Sequence, residues 1–473
     1  MKKFIGVIGF GSQASMDDET AFEAGYLATE YQAVPETPGR VYIRTFGCQM
    51  NVYDSEKILA FLQDRYLPTD SVENADLIIL NTCSIRDKAE QKVYSLLGRF
   101  RSLKESNPDL LIGVGGCVAQ QEGERMLRRL PQVDLVFGTH NINELTRIID
   151  ERLSTGRRVC RVEKDRFQVS SAAAPRTEGV RSPTALLTIM KGCDNYCAYC
   201  IVPMVRGREA SRGMSGIMDE ARHLVDSGVR EITLLGQNVN SYHDPETGSG
   251  FLELLEKLDS IGSLKRLRFV TSHPKNFSSD MAHAMAGLRS VCEHVHLPVQ
   301  AGSDRVLKAM KRGYTIEEYL DTVSVLRELV PGVEISTDII VGFPGEGRDD
   351  FLKTISLLEK VRYQNVFSFR FSPRPGTAAA NMEDPVPQKK KRPWLPELQE
   401  VQNLITSQKH ASMAGKIVEV LVEGYDRREN AGLEGRTRNN YIVHFHGPKI
   451  LVGETIKVRI SRSHGIHLEG KVL

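Results

Sequence analysis

The chain has 473 residues, a net charge of +2 and 26% charged residues. A chain of this length exceeds one ordinary hydrophobic core, so we expect two to four domains. The near-neutral charge excludes binding of nucleic acid through overall charge, and no apolar run approaches the roughly 18 residues of a membrane-spanning helix. Eight cysteines are too few for a disulfide scaffold, and their clustering favours metal binding or catalysis in the cytoplasm.

Residues 1–40 are predicted to be an N-terminal extension without clear periodicity. Met1–Phe10 loosely resembles a short secretion signal, but Gly6 and Gly9 interrupt its apolar stretch. We therefore expect a loosely docked extension on a cytoplasmic protein that does not bind a membrane.

Residues 41–156 are predicted to form an α/β domain with a parallel sheet. Short apolar runs alternate with helical segments, which is typical of parallel strands joined by right-handed crossovers. The predicted strands are Val41–Phe46, Leu77–Leu80, Leu110–Val114 and Leu135–Phe137, and the predicted helices are Val52–Leu62, Asp87–Leu103 and Gln121–Leu130.

Three cysteines of this domain stand where successive predicted strands end. Cys48, Cys83 and Cys117 are 35 and 34 residues apart, which is about one strand–helix unit each. Because parallel strands share a carboxyl edge, and open α/β sheets bind ligands there, the three thiols are expected on adjacent loops. Three thiolates at one edge predict a metal cluster with an open position. The structural alternative is three cysteines that are buried independently of one another.

A basic, Ser/Ala-rich stretch at 157–183 is interpreted as a linker, and residues 180–408 as the next domain. Six apolar runs separated by helical segments favour an open (βα) barrel, although a doubly wound sheet has the same rhythm. A further boundary is expected at Pro385–Pro396. The six predicted strands are Ala185–Met190, Glu231–Leu235, Leu267–Val270, His294–Val299, Ile335–Val341 and Val366–Phe371.

Cys193, Cys197 and Cys200 follow the first strand of this barrel in one short loop. Thiolates spaced in this way can hold three corners of a 4Fe–4S cube, and the missing fourth cysteine leaves one iron open to a small molecule. A zinc site is the alternative, but zinc prefers four closed ligands, typically in paired CxxC units. The remaining thiols, Cys160 and Cys292, lack such partners and are interpreted as structural.

Residues 409–473 are predicted to form a small all-β barrel of a kind that often binds RNA. Its strands are predicted at Ile417–Val422, Tyr441–Phe445 and Thr455–Ile460, separated by glycine turns. Eleven Lys and Arg residues stand against seven Asp and Glu residues from Lys409 onward. This local excess fits an RNA surface and an ordinary solvated surface equally well.

The CxxxCxxC loop closely resembles that of the radical S-adenosylmethionine superfamily, and Thr45–Glu56 resembles the methylthiotransferases within it. The resemblance runs from about Val41 to the C-terminus and implies an N-terminal methylthiotransferase domain, a radical core and a TRAM barrel. Gly47–Asn51, Cys193–Cys197 and Gly236–Tyr242 are most similar to members acting on tRNA that carries dimethylallyladenosine next to the anticodon.

The resemblance implies two 4Fe–4S clusters and two molecules of S-adenosylmethionine. One molecule gives a methyl group to sulfur at the N-terminal cluster, and the other is cleaved at the central cluster to a radical that removes hydrogen from carbon 2 of the adenine. The six ligands implied are Cys48, Cys83, Cys117, Cys193, Cys197 and Cys200. An electron donor such as flavodoxin or ferredoxin is the further partner expected.

Other site residues are expected from their positions. Tyr199 lies where the superfamily holds adenine through a backbone carbonyl, and Gln237 stands where many relatives carry a Gly-Gly-Glu motif that this chain lacks. Four residues lie near later strand ends and are expected to line the cosubstrate pocket: Ser272, its neighbour His273, Gln300 and Asp338. Packing or capping is the alternative role for each of them. Arg206 and Arg208 are candidate tRNA phosphate contacts, with a surface salt bridge as the alternative. Val341–Glu346 is a tight turn for which a structural role suffices.

Two other functions remain open on the sequence. The same chemistry could act on threonylcarbamoyladenosine in tRNA or on an aspartate of a ribosomal protein, although the Gln49–Asn51 and Asp194–Asn195 choices favour dimethylallyladenosine. A non-catalytic iron–sulfur RNA-binding protein is the alternative from a different class.

Overall fold

The structure is a computed structural model that describes residues 38–84, 87–163, 182–426, 432–465 and 467–473. Residues 1–37 of the predicted extension and 164–181 of the predicted linker lie outside this part of the chain. Within the described ranges, no helix combines the length and the apolar character that crossing a bilayer requires.

The N-terminal domain is a six-stranded parallel sheet with helices on both faces. The strand order is β2-β1-β3-β4-β5-β6, and separate hydrophobic clusters cover the two faces. β3 and β4 are buried along their whole length, which explains their continuous apolar sequences. The strands are β1 Gly39–Thr45, β2 Tyr66–Pro68, β3 Leu77–Thr82, β4 Leu111–Gly116, β5 Leu135–Phe137 and β6 Val159–Arg161, and the helices are α1 Gln49–Leu62, α2 Asp87–Ser106, α3 Cys117–Glu122, α4 Glu124–Arg129 and α5 Leu145–Thr155.

Two strands, the helix α5 and one helix break are absent from the sequence prediction for this domain. β2 and β6 are three-residue strands at the sheet edges, too short for an alternating pattern, and β6 lies in the stretch interpreted as linker. The single helix predicted at Gln121–Leu130 is divided into α3 and α4 at Gly123, whose φ of +51° interrupts the helical backbone.

The central domain is an incomplete barrel of six parallel strands, as predicted. Two three-stranded sheets, β7-β10-β11 and β12-β13-β14, adjoin where Leu267 pairs with Val291, and one hydrophobic core lies between strands and helices. The six barrel strands are β7 Thr184–Thr188, β10 Glu231–Leu235, β11 Arg266–Phe269, β12 His294–His296, β13 Glu334–Val341 and β14 Asn365–Arg370, and a separate antiparallel pair is formed by β8 Met190–Lys191 and β9 Ala210–Ser211. The helices are α6 Val202–Val205, α7 Met214–Asp226, α8 Phe251–Asp259, α9 Ser279–Gly287, α10 Asp304–Ala309, α11 Ile316–Leu329, α12 Arg348–Val361, α13 Gln388–Lys391 and α14 Trp394–Ala411.

The segment expected to mark a boundary, Pro385–Pro396, packs on the barrel instead. Lys391 is buried and its ammonium donates to Asp384 at 2.7 Å and to the Phe343 carbonyl at 2.7 Å. Trp394 stacks on Phe351 at 5.2 Å and begins α14, which continues past residue 408. The basic run there is therefore part of the central domain rather than a solvated connection.

The C-terminal domain is a closed five-stranded barrel with the order β15-β16-β17-β19-β18. The sequence prediction located three of these strands and missed β16 and β19, whose glycines and charged residues obscure the alternation. The strands are β15 Ile417–Tyr425, β16 Gly432–Thr437, β17 Ile442–His446, β18 Thr455–His464 and β19 His467–Val472. The predicted fold, a parallel sheet domain followed by a (βα) barrel and a small β-barrel, is confirmed.

The turn between β16 and β17 docks against the amino ends of the central strands. The Arg268 guanidinium donates to the carbonyls of Thr437 and Arg438 and to the Glu231 carboxylate, each at 2.8 Å. The Tyr441 hydroxyl donates to Glu334 at 2.6 Å. The opposite, carboxyl edge of the barrel therefore remains for the cysteine loop.

Candidate active site

The N-terminal sheet brings Cys48, Cys83 and Cys117 together at its carboxyl edge. The three residues follow β1, β3 and β4, which are adjacent in the sheet, and Cys48 and Cys117 stand at the first turns of α1 and α3. Gly47 allows the closest approach, since a Cβ at that position would lie 2.9 Å from the Cys83 sulfur. The register of three parallel strands thus gathers thiols from three distant parts of the sequence.

Buried amide side chains connect these strand ends behind the thiols. Asn51 donates to the Asn81 side chain at 3.1 Å and to the Thr82 carbonyl at 2.9 Å. Asn81 in turn donates to the Asn51 carbonyl and to the Ser55 hydroxyl. The Cys48 thiol lies 3.4 Å from the Asn51 amide oxygen. Because both amides are buried and bonded in several directions, they fix α1 relative to β3.

Charges near this trio favour the thiolate form at one cysteine. A hydrogen bond with Cys83 lowers the pKa of Cys48 to about 6, against the effect of burial, and the positive charge of Arg206 acts in the same direction. Burial raises the pKa of Cys117, again opposed by Arg206. The three thiols and one guanidinium therefore form a single electrostatic group.

The central trio lies in the loop between β8 and α6. The backbone N–H of Cys200 donates to the Cys197 carbonyl at 2.9 Å, and the Asn195 amide donates to the Cys193 sulfur at 3.3 Å. Tyr196 adopts a φ of +46°, which lets the loop curl between the first two cysteines. Burial, followed by the charge of Cys197, raises the pKa of Cys200 to about 12.

Arg312 is a buried cation beside the central trio, and no motif in the sequence predicts it there. One terminal nitrogen lies 3.4 Å from the Cys197 sulfur and 3.4 Å from the Tyr199 hydroxyl, while the other donates to the Pro298 carbonyl at 2.7 Å. Arg312 is separated from Cys197 by 115 residues and stands in no strand-end pattern. Only the folded barrel brings it to the loop.

Residues beside both trios meet at the interface between the N-terminal and central domains. Met50 and Tyr53, just after Cys48, pack with Leu186 and Leu235 of the barrel. Cys117 packs with Ile201 and Val205, which directly follow the central trio. The Thr139 hydroxyl donates to the Val205 carbonyl at 2.7 Å. The loops that carry the two trios therefore lie at the same domain interface.

Polar atoms without partners mark the carboxyl ends of β10 and β11. The side-chain oxygens of Gln237 and Ser272 and the Nε2 of His273 are buried and make no hydrogen bond within the described ranges. Burial lowers the pKa of His273 to about 3, so this ring is neutral at physiological pH. Because buried polar atoms are normally bonded, these three fit a polar ligand such as S-adenosylmethionine. Gln237 and Ser272 lie at these strand ends, and their part in a cosubstrate pocket stays a prediction.

The other predicted pocket residues, Tyr199, Gln300 and Asp338, lie in three different surroundings. Tyr199 is half-buried beside Arg312, and burial raises the pKa of its hydroxyl well above the usual value. Gln300 has a φ of +74° and is paired through its backbone with β13. Asp338 lies within β13 rather than at its end, and its carboxylate is 3.4 Å from the Nε2 of His296.

The two candidate phosphate contacts differ sharply in exposure. Arg208 has 82% of its side chain exposed and pairs with Asp194 at 3.3 Å, so phosphate can reach it. Arg206 is buried, with 3% exposed, and its Nη2 donates to Asp54 at 2.9 Å. The phosphate contact expected for Arg206 is wrong, because its guanidinium points into the domain interface.

Cys160 and Cys292 lie apart from both trios. Burial raises the pKa of Cys160 to about 12, and it packs near the edge of the N-terminal sheet. Cys292 is buried at the amino edge of the barrel, where burial also raises its pKa. Neither thiol lies on the loops that carry the two trios.

The donor set fits two iron–sulfur clusters. Thiolate sulfur is the usual ligand of such clusters, and each trio supplies three thiols from rigid backbone. A buried arginine accompanies each trio, and in the described structure the Nη1 of Arg206 has no hydrogen-bond partner. That vacant donor beside Cys117 fits an anionic cluster better than three protonated thiols.

Comparisons with known proteins agree with this arrangement. Residues 40–138 match the family described as uncharacterized protein family UPF0004, residues 187–358 match the radical SAM superfamily, and residues 411–473 match the TRAM domain. A radical S-adenosylmethionine methyltransferase structure from Kitasatospora setae, TsrM, aligns with a TM-score of 0.54 and 15% identity over 73% of this chain and 77% of its own. That likeness concerns the fold.

Full-length relatives are considerably closer. The tRNA-2-methylthio-N(6)-dimethylallyladenosine synthase of Carboxydothermus hydrogenoformans is 49% identical over 91% of this chain and 98% of the relative. The protein of that name from Geobacter sulfurreducens is 48% identical over 92% of this chain and 97% of its own length. The chain therefore belongs to the methylthiotransferase family of radical S-adenosylmethionine enzymes, among the tRNA-2-methylthio-N(6)-dimethylallyladenosine synthases.

Proposed function

We propose that the protein is a tRNA methylthiotransferase that inserts a methylthio group at carbon 2 of dimethylallyladenosine next to the anticodon. The packing of Cys48 and Cys117 against the part of the central domain that bears the second trio carries the proposal, since sulfur insertion needs two centres within reach of one base. The identity of about 48% to synthases of this name supports the choice of substrate.

When bound, the two 4Fe–4S clusters and S-adenosylmethionine supply a radical able to activate an aromatic C–H bond, together with the sulfur and methyl group that replace the hydrogen. The chain's own contribution is binding, orientation and exclusion of water. We assign Cys193, Cys197 and Cys200 as ligands of the central cluster, and Cys48 and the other two thiols of its trio as ligands of the N-terminal cluster.

The barrel residues would hold the cosubstrate beside the central trio. Gln237, Ser272 and His273 offer buried polar atoms that need partners, and Gln300 and Asp338 extend this edge toward β13. Keeping His273 neutral avoids a positive charge facing a sulfonium ligand. These atoms can orient the cosubstrate without transferring protons.

The tRNA would be held by surfaces outside the interface. Arg208, beside the central loop, offers an exposed guanidinium for a phosphate. The C-terminal barrel is the expected RNA-binding domain, with proposed limits of 409–473. The proposed limits of the N-terminal and central domains are 41–156 and 180–408. The expected electron donor, such as flavodoxin or ferredoxin, and the expected cytoplasmic location belong to the same proposal.

The proposal is tested with reconstituted, reduced protein and S-adenosylmethionine. Three tRNAs are compared: one with dimethylallyladenosine, one with threonylcarbamoyladenosine and one unmodified. Mass spectrometry of the digested nucleosides should reveal the methylthio derivative of dimethylallyladenosine alone. Product on threonylcarbamoyladenosine would reassign the substrate, and absence of 5′-deoxyadenosine from every reaction would favour a non-catalytic RNA-binding protein.

A further inference from the structure

Arg206 connects the central domain to the thiols of the N-terminal domain. It follows Cys200 by six residues, yet only 4% of its side chain is exposed, because α6 directs it into the interface. Its Nη2 donates to Asp54, whose side chain is completely buried, at 2.9 Å. Lys191 lies 4.0 Å from the same carboxylate. The guanidinium is therefore fixed in place by an acidic partner from α1.

The other terminal nitrogen of Arg206 has no such partner. Nη1 is buried and makes no hydrogen bond in the part of the chain that the structure describes. The ionisable groups whose charges act on Arg206 include Asp54, Lys191, Cys117 and Cys48, and the Cys117 thiol is the sulfur toward which it can donate. A guanidinium always keeps its charge, and a buried unbonded donor is costly. The position thus requires an anionic acceptor on the side of the trio.

We propose that Arg206 is a positioning residue for the N-terminal cluster, which donates a hydrogen bond toward the sulfur of Cys117 and raises the cluster's reduction potential. The inference rests on the proposed cluster site. Positive charge and hydrogen bonds at cluster sulfurs stabilise the reduced form, and burial strengthens both effects. Asp54 works against Arg206, because its negative charge partly neutralises the guanidinium.

A purely structural role makes a different prediction from this one. If the Arg206–Asp54 pair only joins the two domains, removing either partner loosens the interface in the same way. If the pair also sets the reduction potential of the cluster, removing Arg206 and removing Asp54 shift that potential in opposite directions. Loss of Arg206 removes positive charge, whereas loss of Asp54 leaves the guanidinium unneutralised beside the thiols.

The experiment uses the full chain in which Cys193, Cys197 and Cys200 are replaced by alanine, so that only the N-terminal cluster is loaded. Iron and sulfide analysis first tests the site itself. Redox titration followed by electron paramagnetic resonance then gives the midpoint potential. Arg206→Gln should lower it, by at least the tenfold change in equilibrium that corresponds to about 59 mV for one electron. Asp54→Asn should raise it.

Two further variants complete the design. Arg206→Lys keeps the charge but loses the forked donor, so its potential should lie between those of the parent and of Arg206→Gln. Arg208→Gln, two residues away and exposed, is the matched control and should leave the potential unchanged.

An unchanged potential in iron-loaded Arg206→Gln would overturn the role of Arg206 while leaving the cluster site standing. Should that variant load no iron, the midpoint potential of Asp54→Asn decides. A higher potential than that of the parent supports the inference, and an equal or lower potential refutes it. Failure of the parent chain to bind iron would instead remove the proposed cluster site and this inference with it.

Discussion

Gly47→Ala should eject the N-terminal cluster while sparing the central one. Gly47 has a φ of +128°, a backbone region that costs a side-chain-bearing residue about 1–3 kcal/mol. The added Cβ would also lie 2.3 Å from the Cβ of Cys83 and 2.9 Å from its sulfur. The substitution thus strains the strand end and pushes directly on one of the three thiols.

The size of the displacement follows from these contacts. Ordinary contact begins at 3.4 Å, so Cys83 must retreat by about 1.1 Å (3.4 − 2.3). Metal–ligand distances tolerate only about 0.2 Å. Iron should therefore fall from about eight atoms per chain to about four, the content of one 4Fe–4S cube. The free energy of unfolding should fall by about 1–3 kcal/mol from the backbone strain.

Iron and sulfide analysis after anaerobic reconstitution measures the first effect, and urea unfolding of the unloaded chain measures the second. Gly98→Ala is the control, because Gly98 is exposed in the middle of α2 and a Cβ there meets nothing within 4 Å. That variant should bind the full complement of iron and gain up to about 1 kcal/mol of stability. Eight irons in Gly47→Ala would refute the close-approach argument.

Three further outcomes are expected. Cys193→Ala should abolish 5′-deoxyadenosine formation, whereas Cys48→Ala should retain some cleavage and lose methylthio insertion; chromatography of both products distinguishes them, and repeated methylthiolation by Cys48→Ala would contradict the assignment. Arg268→Met should cost about 3–5 kcal/mol in urea unfolding because it leaves the buried Glu231 carboxylate undercompensated; a loss below about 1 kcal/mol would show the pair to be dispensable. Burial raises the pKa of Glu346 from 4.5 to about 7. Between these two pH values the unfolded chain binds fewer protons than the folded chain, so the free energy of unfolding of the wild type falls as the pH rises. Glu346→Gln should flatten this slope, and an unchanged slope across pH 4.5 to 7 would contradict the raised pKa.

The cysteine arrangement could be read from the sequence because it depends on local phase. Parallel strands of similar spacing put Cys48, Cys83 and Cys117 at one edge whatever the details of packing. The CxxxCxxC loop is more local still. The barrel order also followed from apolar runs, since β7, β10, β11 and β13 are buried along most of their length.

What the sequence did not reveal depends on contacts between distant residues. Arg206 was expected to contact phosphate because it follows the central loop and arginine pairs well with phosphate oxygens, and only the packing of the two domains shows that it is buried beside Asp54. Arg312 joins the central trio through the same kind of long-range placement. Edge strands such as β6 were missed because they are short and only partly buried, whereas the equally short β5 is buried throughout and wholly apolar.

The docking of the C-terminal barrel at the amino edge of the central strands imposes a minimum size on the substrate. β13 has eight residues and so extends about 26 Å at ~3.3 Å per residue, from the end near Glu334 to the edge that bears the cysteines. In the proposed function, one RNA must reach over this distance to engage both ends. Anticodon stem–loops trimmed below that span should lose affinity abruptly rather than gradually. A length series of RNA hairpins would therefore measure the distance between the two RNA contacts along the barrel.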